Sequence, residues 1–243
     1  MSLANLLERA GASTWYEGAS QALDGPLRYK WNDEKPTEYY GAENRRLEKA
    51  LAQPPMRAGL GISIAFAEWI WLRLRAVTKD HRLPKLIEAA WASLVDWRYF
   101  NASSQTEKEL AERKKGPVEG PLSIAHRHLF TSVVNAANET GFYSRAVYIS
   151  NLAEHVVARP EIFTKWRRAT IERVQRLYPD DPDDLFGPLV PRQAIIDPGF
   201  KLNDAPKLLD AFLSELKPTE NPYLTKPAVM KGAGFKGTPF SFK

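Results

Sequence analysis

The sequence predicts an all-α protein, either an irregular multi-helix bundle or a stack of helical hairpins, that ends in an extended tail. Apolar residues recur at helical spacing through most of residues 1–216. The 18 prolines and 14 glycines fall mostly between these periodic segments, where they mark helix ends. The 243 residues, 44% of them hydrophobic, are enough for a sizeable core. We therefore predict one helical domain over residues 1–216 and a proline- and glycine-rich tail over residues 217–243.

Start and stop residues define the first predicted helices. Residues 1–13, MSLANLLERAGAS, are typical of a short capped helix and lack the pattern of a secretion signal, so we expect a cytoplasmic protein. Thr37 is expected to cap a helix that continues to about Leu51. Pro54 and Pro55 follow and end that helix.

The most apolar stretch of the chain predicts its central helix. Residues 60–77 carry a wide apolar stripe, which is typical of a helix buried in a core. Glu68, Arg73 and Arg75 interrupt the stretch, so it lacks the roughly 18 uninterrupted apolar residues of a membrane span. We expect a buried helix over residues 58–78 and no membrane partner.

A second helix, over residues 82–100, is predicted to pack antiparallel to the first. Its apolar residues keep helical spacing, and only a short turn separates the two helices, so this hairpin is expected at the centre of the fold. Glu68 then has two interpretations. It is either a base whose pKa is raised by burial or, as we prefer, the ion-pair partner of an arginine such as Arg98.

Residues 101–121 differ in character from the helices around them. They contain almost no apolar residues and end in glycine and proline, so we expect an exposed connection that includes one charged helix at 107–115. The segment is either an internal linker between two helical halves or an excursion from a single domain.

The second half of the chain predicts another hairpin and two further helices. The predicted helices are at 122–138, 142–158, 160–178 and 204–216. Pro160 occupies a favourable first-turn position, Pro179 stops the third of these helices, and Asp204 is the expected cap of the last. Asp181, followed by Pro182, is also expected to start a helix.

The helix at 160–178 carries the most prominent charge pattern. Residues 165–176 have a net charge of +4, and the four aspartates of residues 180–184 balance it. The inward stripe predicts that Lys165, Arg168 and Arg176 face solvent. A nucleic-acid-binding helix at 165–176 is therefore one alternative function.

The overall charge argues against a nucleic-acid partner. The chain has a net charge of +5, but residues 217–243 contain five lysines and one glutamate, which account for +4. The helical domain is therefore nearly neutral, whereas a nucleic-acid-binding domain usually concentrates basic residues on a folded face.

Histidines supply the other candidate for chemistry, besides Glu68. In the second hairpin, His126 is expected at the level of Glu154 and His155, a set that suits a metal or acid–base site and hence a helical metal-dependent enzyme. His128 lies only two residues from His126, so the two point in different directions and cannot both belong to that set. The set lacks the spacing of a known metal motif.

Other catalytic signatures are missing from the sequence. The chain has no cysteine, which excludes disulfides, thiolate catalysis and cysteine-ligated metals. It also lacks the serine nucleophile elbow, the phosphate-binding loop and the dinucleotide fingerprint. We therefore assign no catalytic, cofactor-binding or metal-binding residue, and we expect no cofactor.

The tail contains more aromatic residues than is typical of a flexible segment that contacts only solvent. Either it wraps the body and buries its rings, or the rings anchor a partner.

We predict a non-enzymatic protein that binds another protein, such as an immunity-type neutraliser of a toxin or an adaptor, and leave its oligomeric state open. The expected partner-binding residues are Lys165, Arg168, Arg176, Tyr223, Phe235, Phe240 and Phe242.

Overall fold

The computed structural model of the protein describes residues 19–241, and within them it is all-α, with twelve α-helices and no β-strand. The predicted fold class is confirmed. The helices are α1 (Ser20–Leu23), α2 (Thr37–Tyr40), α3 (Arg45–Ala52), α4 (Met56–Leu74), α5 (Arg82–Ser93), α6 (Glu107–Ala111), α7 (Glu119–Ala137), α8 (Tyr143–Val156), α9 (Pro160–Leu177), α10 (Arg192–Ile196), α11 (Ala205–Glu215) and α12 (Pro227–Gly232). The predicted helix at residues 1–13 and the aromatic residue Phe242 lie outside the described residues.

Helix α4 is the centre of the fold. All of its 19 residues except Arg57 are buried, as expected for a helix that is apolar on every side. It packs against α5, as the predicted first hairpin requires, but its most extensive contacts are with α8 and α7 of the second hairpin. The centre is therefore one helix enclosed by members of both hairpins, since an all-round apolar surface needs neighbours on all sides.

The predicted helix from Thr37 to about Leu51 is wrong, because the chain forms two helices there. Helix α2 ends at Tyr40, and the next residue, Gly41, is so close to the Thr37 carbonyl that an added Cβ would be 2.7 Å from that oxygen. Helix α3 then starts anew after Asn44, whose side-chain oxygen accepts a hydrogen bond of 3.0 Å from the Leu47 amide. Side-chain capping by asparagine competes with a continuous helix at this point.

The predicted helix start at Asp181 is also wrong. The Asp181 carboxylate accepts a 3.0 Å hydrogen bond from the Asp183 amide, so the chain forms a turn instead. Farther along, the carbonyls of Leu185 and Phe186 accept hydrogen bonds from the first two amides of α4, at 3.0 and 3.2 Å. These amides have no partner inside their own helix, and the carbonyls of the non-helical loop supply the acceptors that they lack.

The segment 101–121 is tied to the body at several points. Its predicted charged helix forms over Glu107–Ala111, where Thr106 and Glu109 build a reciprocal capping box. Lys114 forms an ion pair with Asp80 at 2.9 Å, and the Thr78 hydroxyl donates to the Glu119 carboxylate at 2.7 Å. Helix α7 then begins at Glu119, three residues before the predicted start.

Candidate functional site

The outer face of α9 carries the predicted contact residues in one stripe. Lys165, Arg168 and Arg176 are all exposed, and Glu161 and Glu172 lie on the same stripe. The opposite side of the helix packs into the core through a set of buried residues, namely Phe163, Thr170, Ile171 and Val174. The side-chain directions predicted from the periodicity of this helix are confirmed.

Two of the five cations in residues 165–176 have structural roles instead. Arg167 donates to the Glu154 carboxylate at 2.9 Å and to the Ser150 hydroxyl at 2.7 Å, so it ties α9 to α8. Arg173 donates to the Ile195 carbonyl and ties α9 to α10. The exposed stripe is left with three cations and two carboxylates, which is a mixed surface rather than a basic one.

An acidic loop continues this surface beyond the end of α9. Asp180, Asp181, Asp183 and Asp184 are all exposed, and the next residue, Leu185, is 52% exposed. The backbone of this loop is fixed on the start of α4 by the hydrogen bonds already described. A cationic stripe and an acidic loop therefore follow one another on rigidly held segments, and we call them together the α9 surface.

The side chains of His126, Glu154 and His155, which were predicted to lie at one level of the hairpin, do not form a common site. The His126 Nε2 atom lies 2.8 Å from the Tyr223 hydroxyl, whereas the His155 Nε2 atom lies 2.8 Å from the Lys30 carbonyl. Glu154 instead pairs with an arginine, as described above. Each side chain has a different partner, and residues 19–241 contain no group of three or more such side chains placed to hold a metal.

Both histidines of α7 are deeply buried and therefore neutral. Burial lowers the pKa of His126 to about 4 and that of His128 to about 3. The His126 Nε2 atom and the Tyr223 hydroxyl share a hydrogen bond, and burial raises the pKa of that phenol to about 12, so the phenol stays protonated. Neither ring nitrogen of His128 has a hydrogen-bond partner among the described residues; the Tyr40 and Tyr148 rings lie edge-on to it.

Glu68 forms the buried ion pair that we preferred, but its arginine is not the one we named. The carboxylate is fully buried and accepts two hydrogen bonds from Arg192, at 2.8 and 2.7 Å, and one from the Trp91 indole at 2.7 Å. Arg98 pairs with its near neighbour Asp96. Arg192 lies 124 residues from Glu68 in the chain, so no local pattern could identify it.

The tail rings that the structure describes pack on the body. Tyr223 is only 1% exposed, and Phe240 stacks on Tyr99 with ring centroids 4.4 Å apart. Phe235 is half-buried beneath the Arg98 guanidinium, which lies 4.3 Å from its ring centre. In this arrangement the tail follows the intramolecular alternative, and the buried Tyr223 and Phe240 offer a partner little surface. Partner binding by the tail stays a prediction, as does its boundary at residue 217.

The observations define an all-α protein with a rigid helical body and a mixed-charge outer surface. None of the helices in residues 19–241 combines the length and apolar character needed to cross a lipid bilayer. Comparison of the chain with models of protein families, with curated proteins and with solved structures finds no match.

Proposed function

We propose that the chain is a non-enzymatic, cytoplasmic protein that binds another protein through the α9 surface, as an immunity-type neutraliser or an adaptor does. The observation that carries the proposal is the exposed stripe of α9. Lys165, Arg168 and Arg176 make no ion pair with any of residues 19–241. They project from an 18-residue helix whose inner side is locked into the core, so they are presented to a partner at fixed positions.

The disposition of the titratable groups supports binding rather than catalysis. Glu68 is neutralised by a buried arginine, and Glu154 by one that is mostly buried. The ring of His126 is committed to Tyr223, and that of His155 to the backbone of Lys30. A general acid or base must reach the proton that it transfers, and these groups are turned towards internal partners.

The distribution of charge supports a protein partner rather than a nucleic acid. Glu161 and Glu172 alternate with the cations of α9, and the exposed aspartates of residues 180–184 follow directly. A phosphate backbone presents one sign of charge and would be repelled by these carboxylates. A folded partner can instead place acidic residues against the stripe and basic residues against the loop.

Charge reversal of the stripe tests the proposal. The triple variant K165E/R168E/R176E removes the exposed cations of α9, and R45E/R46E/K49E makes the same change in net charge on the exposed part of α3. Tagged full-length chains would be incubated with nuclease-treated native lysate, and captured proteins would be identified by mass spectrometry. We expect one dominant, stoichiometric protein with the wild type and the α3 control.

The affinity of each variant for the purified partner then shows whether the partner binds the α9 surface. We expect at least a tenfold loss of affinity in the α9 triple variant and less than a twofold loss in the α3 control, measured by calorimetry. Equal affinity of all three chains would show that the partner binds elsewhere. Salt-dependent binding to generic duplex DNA, abolished by the α9 variant in the absence of any protein partner, would favour the nucleic-acid alternative.

A further inference from the structure

A cleft of about 440 Å³ lies between two segments on another part of the molecule. One segment, residues 21–29, comprises the end of α1 and the chain after it, and the other, residues 155–160, spans the junction between α8 and α9. The cleft is lined by three arginines, Arg28, Arg73 and Arg159, and by a single carboxylate, that of Asp24. The charged side chains that line it therefore sum to +2, in a body whose overall charge is close to neutral.

Arg73 holds the two segments together from below. It is only 6% exposed, and its guanidinium donates to the carbonyls of Leu23, Gly25 and Pro26 at 2.8, 2.9 and 2.8 Å. Its Nε atom donates to the Val156 carbonyl at 3.1 Å on the other segment. One buried cation from α4 thus fixes both walls of the cleft and places a positive charge at its base.

Two further hydrogen bonds fix the separation of the walls. The Ala158 amide donates to the Ala22 carbonyl at 2.7 Å, and the His155 Nε2 atom lies 2.8 Å from the Lys30 carbonyl. The cleft is therefore formed before any ligand arrives, and a ligand need not order the backbone when it binds.

Arg28 and Arg159 are the free donors of the cleft. Both side chains are exposed, and neither guanidinium has an ion pair or a hydrogen bond with any of residues 19–241. A guanidinium has five N–H donors and no acceptor, in a fork that matches the oxygens of a phosphate group. The two arginines come from different segments, so an anion between them can be held from two sides.

We propose that this cleft binds a small molecule through its phosphate groups, with Arg28 and Arg159 as the direct ligands and Arg73 as the fixed charge beneath them. The volume exceeds that of a single phosphate and lies within the range of small-molecule sites. A carboxylate offers two coplanar oxygens, whereas a phosphate group presents three to the base and both walls. The cleft is separate from the α9 stripe, and its proposed role goes beyond the proposed function.

Pyrophosphate is the probe, because it carries the proposed chemistry without a particular organic group. It would be titrated into the full chain by calorimetry at constant ionic strength, with citrate in a parallel titration. The test variant is R28Q/R159Q, and the control R45Q/R46Q removes two exposed arginines of α3. We expect saturable binding of pyrophosphate by the wild type, at least a tenfold loss in the test variant and less than a twofold loss in the control.

Three calorimetric results would overturn the inference. They are the absence of saturable binding by the wild type, equal losses in the two variants, and tighter binding of citrate than of pyrophosphate. The amide spectrum of the wild type locates the site even if the test variant fails to fold. Pyrophosphate should shift the amides of residues 24–29 and 155–161, and shifts confined to other residues would equally refute the proposed cleft.

Discussion

The two neutral histidines of α7 predict that acid destabilises the fold at a pH well above the titration of its carboxyl groups. Burial is the main cause of the low pKa of His126 and of His128, and the neighbouring Arg127 and Arg145 add to the effect at His128. In the unfolded chain both imidazoles titrate near their ordinary pKa of about 6.5. The unfolded state therefore binds more protons below that pH, and stability falls as the pH falls from about 6.5 towards the folded values.

The size of the effect follows from the difference in bound protons. At pH 5 an unfolded histidine is almost fully protonated, whereas one with a folded pKa of about 3 or 4 is almost fully neutral. Each histidine then lowers the free energy of unfolding at pH 5 by about 2 kcal/mol relative to pH 7.5. The pair costs about 4 kcal/mol, which is a large fraction of the stability of an ordinary domain.

Urea denaturation between pH 4.5 and 7.5 measures this loss, and His128→Phe assigns it. The His128 ring forms no hydrogen bond with the described residues and contacts Tyr40 and Tyr148 edge-on, so phenylalanine preserves the packing. We expect this variant to lose about half of the pH dependence and to be more stable than the wild type at pH 5. His81→Asn, at an exposed position, is the control. Two results would refute the reasoning. One is a wild-type free energy of unfolding that does not change between pH 6.5 and 5, and the other is an equally steep dependence of that free energy on pH in the His128→Phe variant.

Three further substitutions probe the buried polar contacts. Arg192→Met leaves the Glu68 carboxylate buried without its cation and should cost about 3–5 kcal/mol in urea denaturation, much of which Glu68→Met should restore in the double variant. Arg73→Met removes four hydrogen bonds to backbone carbonyls, and we expect a loss of about 3 kcal/mol or more by the same measurement. Tyr223→Phe removes the hydroxyl that shares a hydrogen bond with the His126 Nε2 atom and should cost about 1–2 kcal/mol at pH 7.

Matched neighbours serve as controls for these substitutions. Arg75→Met changes an exposed arginine of the same type and should alter stability by less than about 0.5 kcal/mol. Tyr148→Phe removes a hydroxyl that has no hydrogen bond with the described residues and should be nearly neutral. Losses of equal size in control and test variants would mean that the contacts described here do not carry the stability assigned to them.

The sequence could predict the helices whose boundaries are set by local signals. Helix α9 is the clearest case, since Pro160 starts it and Pro179 prevents its continuation, and the observed end at Leu177 is one residue from the prediction. Its exposed stripe followed from the same periodicity. Helices α10 and α12 were not predicted, because each is a short helix of five or six residues with too few periodic positions to be distinguished from a loop.

The candidate sites were less predictable, because their geometry depends on contacts between distant parts of the chain. The partner of His126 is 97 residues away, and that of His155 is 125 residues away. The predicted register of the hairpin could not identify which distant groups bind each histidine ring. Similarly, nothing in the spacing around Arg73 indicates that its guanidinium donates to three carbonyls within residues 23–26.

Two buried charged residues of α4 explain how a helix that is otherwise apolar on every side acquires a unique orientation. Apolar surface on every side drives burial but gives little preference for one rotation of the helix over another. Glu68 can satisfy its carboxylate only where α5 and α10 supply Trp91 and Arg192, and Arg73 only where residues 23–26 and Val156 supply carbonyls. These two residues therefore fix the rotation of α4, and with it the walls of the arginine-lined cleft. A Glu68→Met/Arg192→Met variant that is stable but has a poorly dispersed amide spectrum would separate this orienting role from any contribution to stability.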